Sequence, residues 1–298
     1  MKSLKSGVFV KHGELRKRVL QRWFDKVGLK CSAFRALSNP LPGLFVEMPE
    51  FIQDMIDVIL SNEKHLFTRG DLGSGKTTHM LLFKREFGEL EDNLGHGFVT
   101  GYIAKTGLHR RQIAREIADA LGVKYCISWN SNRVLNAIED FIRRSYPRYR
   151  TVLFFEDVAE NTAAALGEVK YLGDLEKDER LCTLIMSGTP EYWSALEAVI
   201  PLLTSRCEVV EVPSFSLRHS RKFVCNRLSY FSKNPKADDR DIYPFTKETI
   251  RVLHEASEGN PRKLRGYCRR CESVAAERYR LKRGEIVDEE IARMVTSV

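Results

Sequence analysis

No apolar run in this 298-residue chain approaches the roughly 20 residues needed to cross a bilayer, which excludes an ordinary membrane-spanning helix and a membrane partner. Cysteine is sparse and unpatterned, with seven residues at 31, 126, 182, 207, 225, 268 and 271. An odd number, several in apolar contexts, excludes a disulfide framework and predicts reduced thiols in a cytoplasmic setting. The lone CxxC, Cys268 and Cys271, has no second CxxC or CxxH nearby. It shares one helical face with Leu264, Tyr267 and Val274, so it reads as core rather than as metal or redox chemistry. No internal repeat and no long low-complexity tract occurs. The opening MKSLKSGVFVKHGELRKR lacks the apolar core and small-residue cleavage site of a secretory signal.

Acidic residues are also in deficit. Forty Asp and Glu stand against 48 Lys and Arg, giving a net charge of +8, so a polyanion is a plausible partner. The excess is concentrated. Lys2, Lys5, Lys11, Arg16, Lys17, Arg18 and Arg22 face a single acid, Glu14, and a second basic stretch runs from Arg262 to Arg283. Either stretch also reads as a solvated face or a disordered arm.

A hydrophobic content of 43% with 30% charge describes a soluble globular chain, long enough for one large domain or two modest ones. Apolar periodicity predicts helices over 12–27, 49–60, 76–87, 108–122, 132–146 and 162–175. Strands are expected at HLFTR (65–69), GFVTGYIA (97–104), TVLFF (151–155), LCTLIMSG (181–188) and CEVVEV (207–212). Beyond Pro213 only helical patterns follow, at 217–230, 247–257, 261–280 and 287–296, with a surface excursion at 232–245. Alternating strands and helices predict an α/β parallel sheet flanked by helices, followed by a helical subdomain. The expected organisation is a basic arm and entry helix (1–40), a nucleotide-binding domain (41–213) and a helical lid (214–298).

One motif carries chemistry. Gly70, Asp71, Leu72, Gly73, Ser74, Gly75, Lys76 and Thr77 match GxxxxGK[ST] in full, between a strand and a helix. Glycines let the backbone N–H groups converge on phosphate oxygens, and the helix N-terminus adds positive potential. Lys76 offers a cation to the β- and γ-phosphates, and Thr77 offers a hydroxyl to Mg²⁺. Such a loop calls for a second strand ending in acid, one carboxylate for the Mg²⁺ hydration shell and one for the attacking water. VLFFED supplies Glu156 and Asp157, with Glu before Asp where the usual order is reversed. Simple register puts Glu156 on the metal side and Asp157 on the water side, while a one-residue shift would put Asp157 on the metal. The altered side-chain lengths displace each carboxylate by about 1 Å, enough to slow hydrolysis on the order of 10²-fold without abolishing binding.

With these residues the chain resembles the AAA+ ATPases. More narrowly it is similar to the branch that holds the origin-recognition/Cdc6 initiators, the ExeA-type ATPases and the transposition regulators of the MuB, TniB and TnsC types. The lead-in WFDKVGLKCSAFRALSNPLPGLFVEMPEFIQDMIDVI resembles the ExeA type, and the resemblance would set the adenine near Leu44, Phe45 and Val46. Thr78 would follow Thr77 in the phosphate cradle. LCTLIMSGTPEYWSAL is similar to a sensor 1 strand, which implies Thr189, with Ser187 second, as the sensing polar residue. LLTSRCEVVEV implies Arg206 as an arginine finger reaching a neighbour's γ-phosphate, and EGNPRKL implies Arg262 as sensor 2. Thr189 and Arg206 also have plainer readings, as a helix cap and a surface ion pair.

Initiators of this branch carry a winged-helix DNA-binding domain after the lid, and Val298 falls about where the lid ends. The expectation is therefore a regulator whose ATPase core assembles on DNA as a ring or helical filament, with slow ATP hydrolysis and a further protein partner. Backbone contacts, largely independent of sequence, would come from Lys11, Arg16, Lys17 and Arg18, from Arg110 and Arg111, and from Arg265 and Arg269. Two alternatives remain open: an ExeA-like ATPase serving a protein assembly, and a nucleotide-gated signalling switch.

Overall fold

The computed structural model describes residues 3–37, 41–87, 91, 95–177, 179–234 and 242–297, with side chains described from Glu14 onward except at Pro42. The chain divides into two compact units, Glu47–Pro213 and a second composed of Met1–Val46 with Ser214–Val298.

The first unit is built on five parallel strands: β1 (His65–Arg69), β2 (Gly97–Ile103), β3 (Tyr149–Phe155), β4 (Cys182–Gly188) and β5 (Cys207–Glu211). Their order is β2-β3-β4-β1-β5. Between them run α2 (Pro49–Ser61), α3 (Lys76–Glu86), α4 (Arg110–Leu121), α5 (Ser131–Ser145), α6 (Ala163–Gly173), α7 (Pro190–Val199) and the four-residue α8 (Pro201–Thr204), which the sequence pattern had not suggested. Helices cover both faces, so β4 and all of β3 beyond Tyr149 are buried without alternation, as parallel sheets require. On one face Leu153, Phe155, Leu184 and Met186 pack with Ile113, Ile117, Ile138 and Leu166 of α4–α6. On the other, Phe87 at the end of α3 meets Phe98 and Phe154 at ring-centroid distances of 5.1 and 6.2 Å.

Four register pairs, Leu66–Arg69 against Ile185–Gly188, tie β1 to β4, and β1 also pairs with β5 from His65↔Cys207 to Arg69↔Glu211. The strands therefore end together, and their C-terminal ends form one edge. Ligands of open parallel sheets bind at that edge.

The second unit is helical, with α1 (Ser3–Val27), α9 (Leu217–Phe231), α10 (Lys247–Ser257), α11 (Pro261–Arg280) and α12 (Glu289–Thr296). Its N-terminal segment is not a loose basic arm. The helix starts at Ser3, and Trp23, Phe24, Val27 and Leu29 are buried. The Trp23 indole N–H donates to the Glu285 carbonyl at 3.0 Å, and Arg227 donates to the Ala33 carbonyl at 2.8 Å. Glu272, 1% exposed on α11, accepts from the Ser32 hydroxyl and the Ala33 N–H. Cys268 and Cys271 are both fully buried on the same helix. The expected excursion at 232–245 lies partly outside the described residues.

Candidate functional site

The loop after β1 is shaped by its glycines. Gly73 and Gly75 have φ of 86° and 107°, the left-handed region that side chains resist. At Gly70 a Cβ would stand 2.9 Å from the Ser74 hydroxyl and 3.1 Å from Val212. Helix α3 begins at Lys76, so its first N–H groups open at the C-terminal edge of the sheet. The Lys76 ammonium folds back onto the loop and donates to the carbonyls of Gly70 (2.6 Å) and Asp71 (3.0 Å). Ser74 Oγ is buried with no hydrogen-bond partner among the described residues. Thr77 is exposed, Thr78 half-buried, and Leu72 projects outward at 69% exposure.

Three acids sit at the end of β3, and their surroundings separate them. Glu156 accepts a hydrogen bond from the Tyr102 hydroxyl at the end of β2. Glu160 is held by the Tyr192 hydroxyl and by Thr106, which keep its carboxyl below the usual range. The Asp157 carboxylate has no hydrogen-bond partner among the described residues, while its carbonyl accepts from the Glu160 N–H at 3.0 Å. Burial pushes the Asp157 carboxyl up, and the charge of Lys76 pulls it back down. Of the two carboxylates that end β3, Glu156 is thus bonded to Tyr102, and Asp157 is the one whose carboxyl feels the Lys76 charge. The chain leaves the sheet after Phe155, and Asp157 takes a left-handed conformation (φ 40°), so side chains no longer alternate by the strand pleat. Tyr102 escaped sequence reasoning. The signal available was a hydroxyl-bearing residue near the end of the neighbouring strand, where Tyr102 pairs with Phe154.

Of the other predicted site residues, Thr189 is an N-cap: its hydroxyl accepts from the Tyr192 N–H at 3.4 Å and bonds the Glu191 carboxyl. Ser187 is buried on β4 opposite Thr68. Arg206 lies at the opposite edge of the sheet from the P-loop. Its carbonyl accepts from the His65 N–H at 2.8 Å, where β1 starts, and its guanidinium pairs with Asp174 at 2.5 Å. A five-residue strand separates the two edges by roughly 15 Å, so Arg206 cannot complete the site of its own chain. Beside it stands Arg180, which sequence reasoning missed. Burial lowers its pKa and Arg206 adds to the effect, while its Nε and Nη1 have no hydrogen-bond partner among the described residues.

Leu44, Phe45 and Arg262 belong to the helical unit. Leu44 is buried, Phe45 accepts from Asn226 at 3.0 Å, and Arg262 is exposed in the first turn of α11 behind the Asn260 cap. Among the candidate polyanion contacts, Arg110 is exposed, pairs with Glu168, which is 8% exposed, and bonds Asn132 at 2.7 Å. Arg111 donates to the Ile127 carbonyl at 2.7 Å. Arg16, Lys17 and Arg18 are exposed on α1, whereas the Lys11 side chain lies outside the described residues. Arg265 and Arg269 follow Arg262 along α11, and none of the three has an acidic partner among the described residues. Burial and the two neighbouring arginines lower the pKa of Arg265.

The comparisons agree with this architecture. A family model described as an AAA domain matches residues 59–196. No curated protein matches the sequence. Among solved structures, the chain is similar to the ORC2 protein of Aeropyrum pernix in its ADP form, with 14% identity and a TM-score of 0.63, covering 89% of this chain and 71% of that one. It is also similar to Cdc6p of Pyrobaculum aerophilum (14%, TM-score 0.60, 88% and 69%). The Aeropyrum pernix ORC1 protein in complex with DNA gives 15% identity and a TM-score of 0.56, over 85% and 66%. The fold is thus the α/β P-loop NTPase fold in its AAA+ form, shared with structures of the ORC/Cdc6 type. No described helix is long and apolar enough to cross a membrane.

Proposed function

We propose that this chain binds ATP with Mg²⁺ at the Gly70–Thr78 loop, hydrolyses it slowly, and uses the bound state to assemble with further copies of itself on DNA. The observation that carries the nucleotide reading is the glycine-shaped loop that ends in the N-terminus of α3, with the Lys76 ammonium resting on the Gly70 and Asp71 carbonyls. The Asp157 carboxyl lies close enough to feel the Lys76 charge. The buried, unpartnered Ser74 hydroxyl fits the same cradle. Mg²⁺ would be held by Thr77 with Asp157, directly or through water, and would neutralise phosphate charge. Glu156, held by Tyr102, is placed to orient water rather than to bind metal. The acids are then used in an order opposite to their plain register, each role taken by the usual residue type but from a backbone position one residue away from the usual one, and that displacement is the expected cause of slow turnover.

Assembly is supported by the position of Arg206, which can complete only a neighbour's site. DNA binding is supported by the basic excess, by Arg262, Arg265 and Arg269 along α11, and by a relative solved with DNA. Under this reading residues 214–298 act as the lid, with Arg262 sensing the γ-phosphate, and Leu44 and Phe45 flank the adenine. The role is that of a transposition-regulator type of assembly factor. An ExeA-like ATPase or a nucleotide-gated switch would share the nucleotide site and lack nucleotide-dependent DNA affinity.

The test is fluorescence anisotropy with labelled duplex DNA in ATP, ADP and no nucleotide, over rising salt. ATP-dependent binding that weakens steeply with salt is expected. Affinity indifferent to both would remove the DNA half of the proposal, and failure to bind a fluorescent ATP analogue would remove all of it.

A further inference from the structure

The helical unit carries a groove of about 750 Å³ whose floor is the C-terminal half of α11 and whose walls are α1 and α12. Val19, Leu20 and Val274 line it as half-buried apolar surface. Three large apolar side chains at its rim are strongly exposed: Leu15 (57%), Leu281 (50%) and Met294 (49%). Each comes from a different wall or from the floor. Scattered exposed leucines need no explanation, but three converging on one trench with a Met among them mark a binding surface.

The charge around it is one-sided. Four arginines line the groove, Arg16, Arg278, Arg280 and Arg283, against two acids, Glu277 and Glu290. Both acids are already engaged, Glu277 by Arg280 and Glu290 by Arg278. Arg16 on one wall and Arg283 at the end of the floor have no acidic partner among the described residues. The helical part of the floor, Ser273 to Arg280, spans about 12 Å, or two helical turns.

We infer that this groove docks an amphipathic helix of a protein partner, apolar on one face and acidic along its flanks. An apolar trench between two helices accepts anchors at i, i+3 or i+4, and i+7, which is the helix-in-groove mode of recognition. The unmatched arginines at its rim select acidic flanks and steer the approach. A lipid surface fits less well, because a concave trench cannot carry its apolar floor into a bilayer as a convex helix face does. The phosphate backbone of DNA would use the arginines but leave Leu281 and Met294 without a role. The inference does not rest on the nucleotide site.

The experiment uses the full chain and fluorescein-labelled synthetic helical peptides of about 15 residues, enough for the groove's length. One carries a leucine stripe with glutamate flanks, a second the same stripe with lysine flanks, and a third the scrambled acidic sequence. The acidic peptide is expected to bind at least about tenfold tighter than either control, with affinity falling as salt rises. Leu281→Glu and Met294→Glu should each weaken it about tenfold or more, with thermal unfolding unchanged because both side chains are exposed. Arg283→Glu, which leaves the apolar surface intact, should abolish the preference for glutamate over lysine flanks. Equal binding of the acidic and basic peptides, or none up to about 1 mM, overturns the proposal. So does concentration-dependent self-association abolished by Leu281→Glu, which would make the occupant a second copy. Binding to phosphatidylserine vesicles that Leu281→Glu abolishes would assign the groove to lipid instead.

Discussion

The two edges of the sheet carry charge in opposite conditions. At the C-terminal edge, Lys76 rests on carbonyls of its own loop, and among the described residues neither the Asp157 carboxylate nor the buried Ser74 Oγ has a hydrogen-bond partner. At the N-terminal edge, Arg206 is paired with Asp174, itself bonded by Lys170, and the half-buried Arg180 keeps Nε and Nη1 without a partner among the described residues. The first edge offers a cation and a helix N-terminus to an anion. The second is closed within the chain and becomes useful only if another molecule offers its Arg206 a stronger partner than an exposed ion pair, worth about 1 kcal/mol or less.

The largest break in this comparison is Lys76→Ala. It removes the cation that would leave two carbonyls for two phosphate groups, and charge-assisted bonds of that kind account for about 10³-fold in affinity. Titration of a fluorescent ATP analogue reads the loss directly. Next come the two acids. Asp157→Asn should lower the ATPase rate about 10²-fold, and Glu156→Gln no more than about tenfold, since Glu156 is already committed to Tyr102. Equal losses, or the reverse order in a steady-state phosphate-release assay, would restore the plain register assignment. Unchanged rates in both variants would remove this strand from the site.

At the other edge, Arg206→Ala should cost about tenfold or more in turnover while leaving ATP affinity of the isolated chain intact. The decisive form is a mixture. Arg206→Ala keeps a complete cradle, and Lys76→Ala keeps the arginine, so mixed oligomers should recover activity that neither variant has alone. Mixing without recovery would confine Arg206 to its ion pair with Asp174.

The C-terminal edge was largely legible in the sequence because a loop that wraps phosphate needs small residues at fixed spacing, and Gly70–Thr77 shows them in a row. The sheet was legible for a related reason: strands buried on both faces, such as Val152–Phe155, must be apolar throughout. What could not be read was direction. Whether Glu156 or Asp157 faces Lys76 depends on where β3 leaves the sheet and on the left-handed backbone at Asp157, and no residue pattern announces either. Arg110 is an exposed cation, but its partner Glu168, some 58 residues away and brought beside it by packing of α4 on α6, is something no local pattern announces. Thr189 shows the converse, because a Thr before Pro already suggests a cap and the structure uses it as one.

The smallest expected effect compares the same residue type at both edges. His65 begins β1, with Nδ1 accepting from the Leu184 N–H at 3.2 Å, and burial brings its pKa down to about 3, with Arg180 and Arg206 adding to the fall. His79 lies one turn into α3, its ring 4.9 Å from Phe51, and burial brings it down to about 4 against the opposing effect of the Gly75 carbonyl. Both are neutral in the folded chain and would titrate near 6.5 when unfolded. The unfolded chain therefore binds more protons below pH 6.5, so the stability from these groups is complete above that pH and is lost as pH falls. Between pH 6 and 4 the loss approaches about 1.4 kcal/mol per pH unit for His65 and is smaller for His79, which is itself half-protonated at about pH 4. His65→Asn retains an acceptor for Leu184 and should abolish one of the two slopes in denaturant unfolding followed across this range. Arg206→Ala should flatten the His65 slope only slightly, since burial, not the neighbouring guanidinium, is the larger cause. A loss as large as that of His65→Asn would mean that charge at the N-terminal edge, rather than the closed interior beneath it, keeps this histidine neutral.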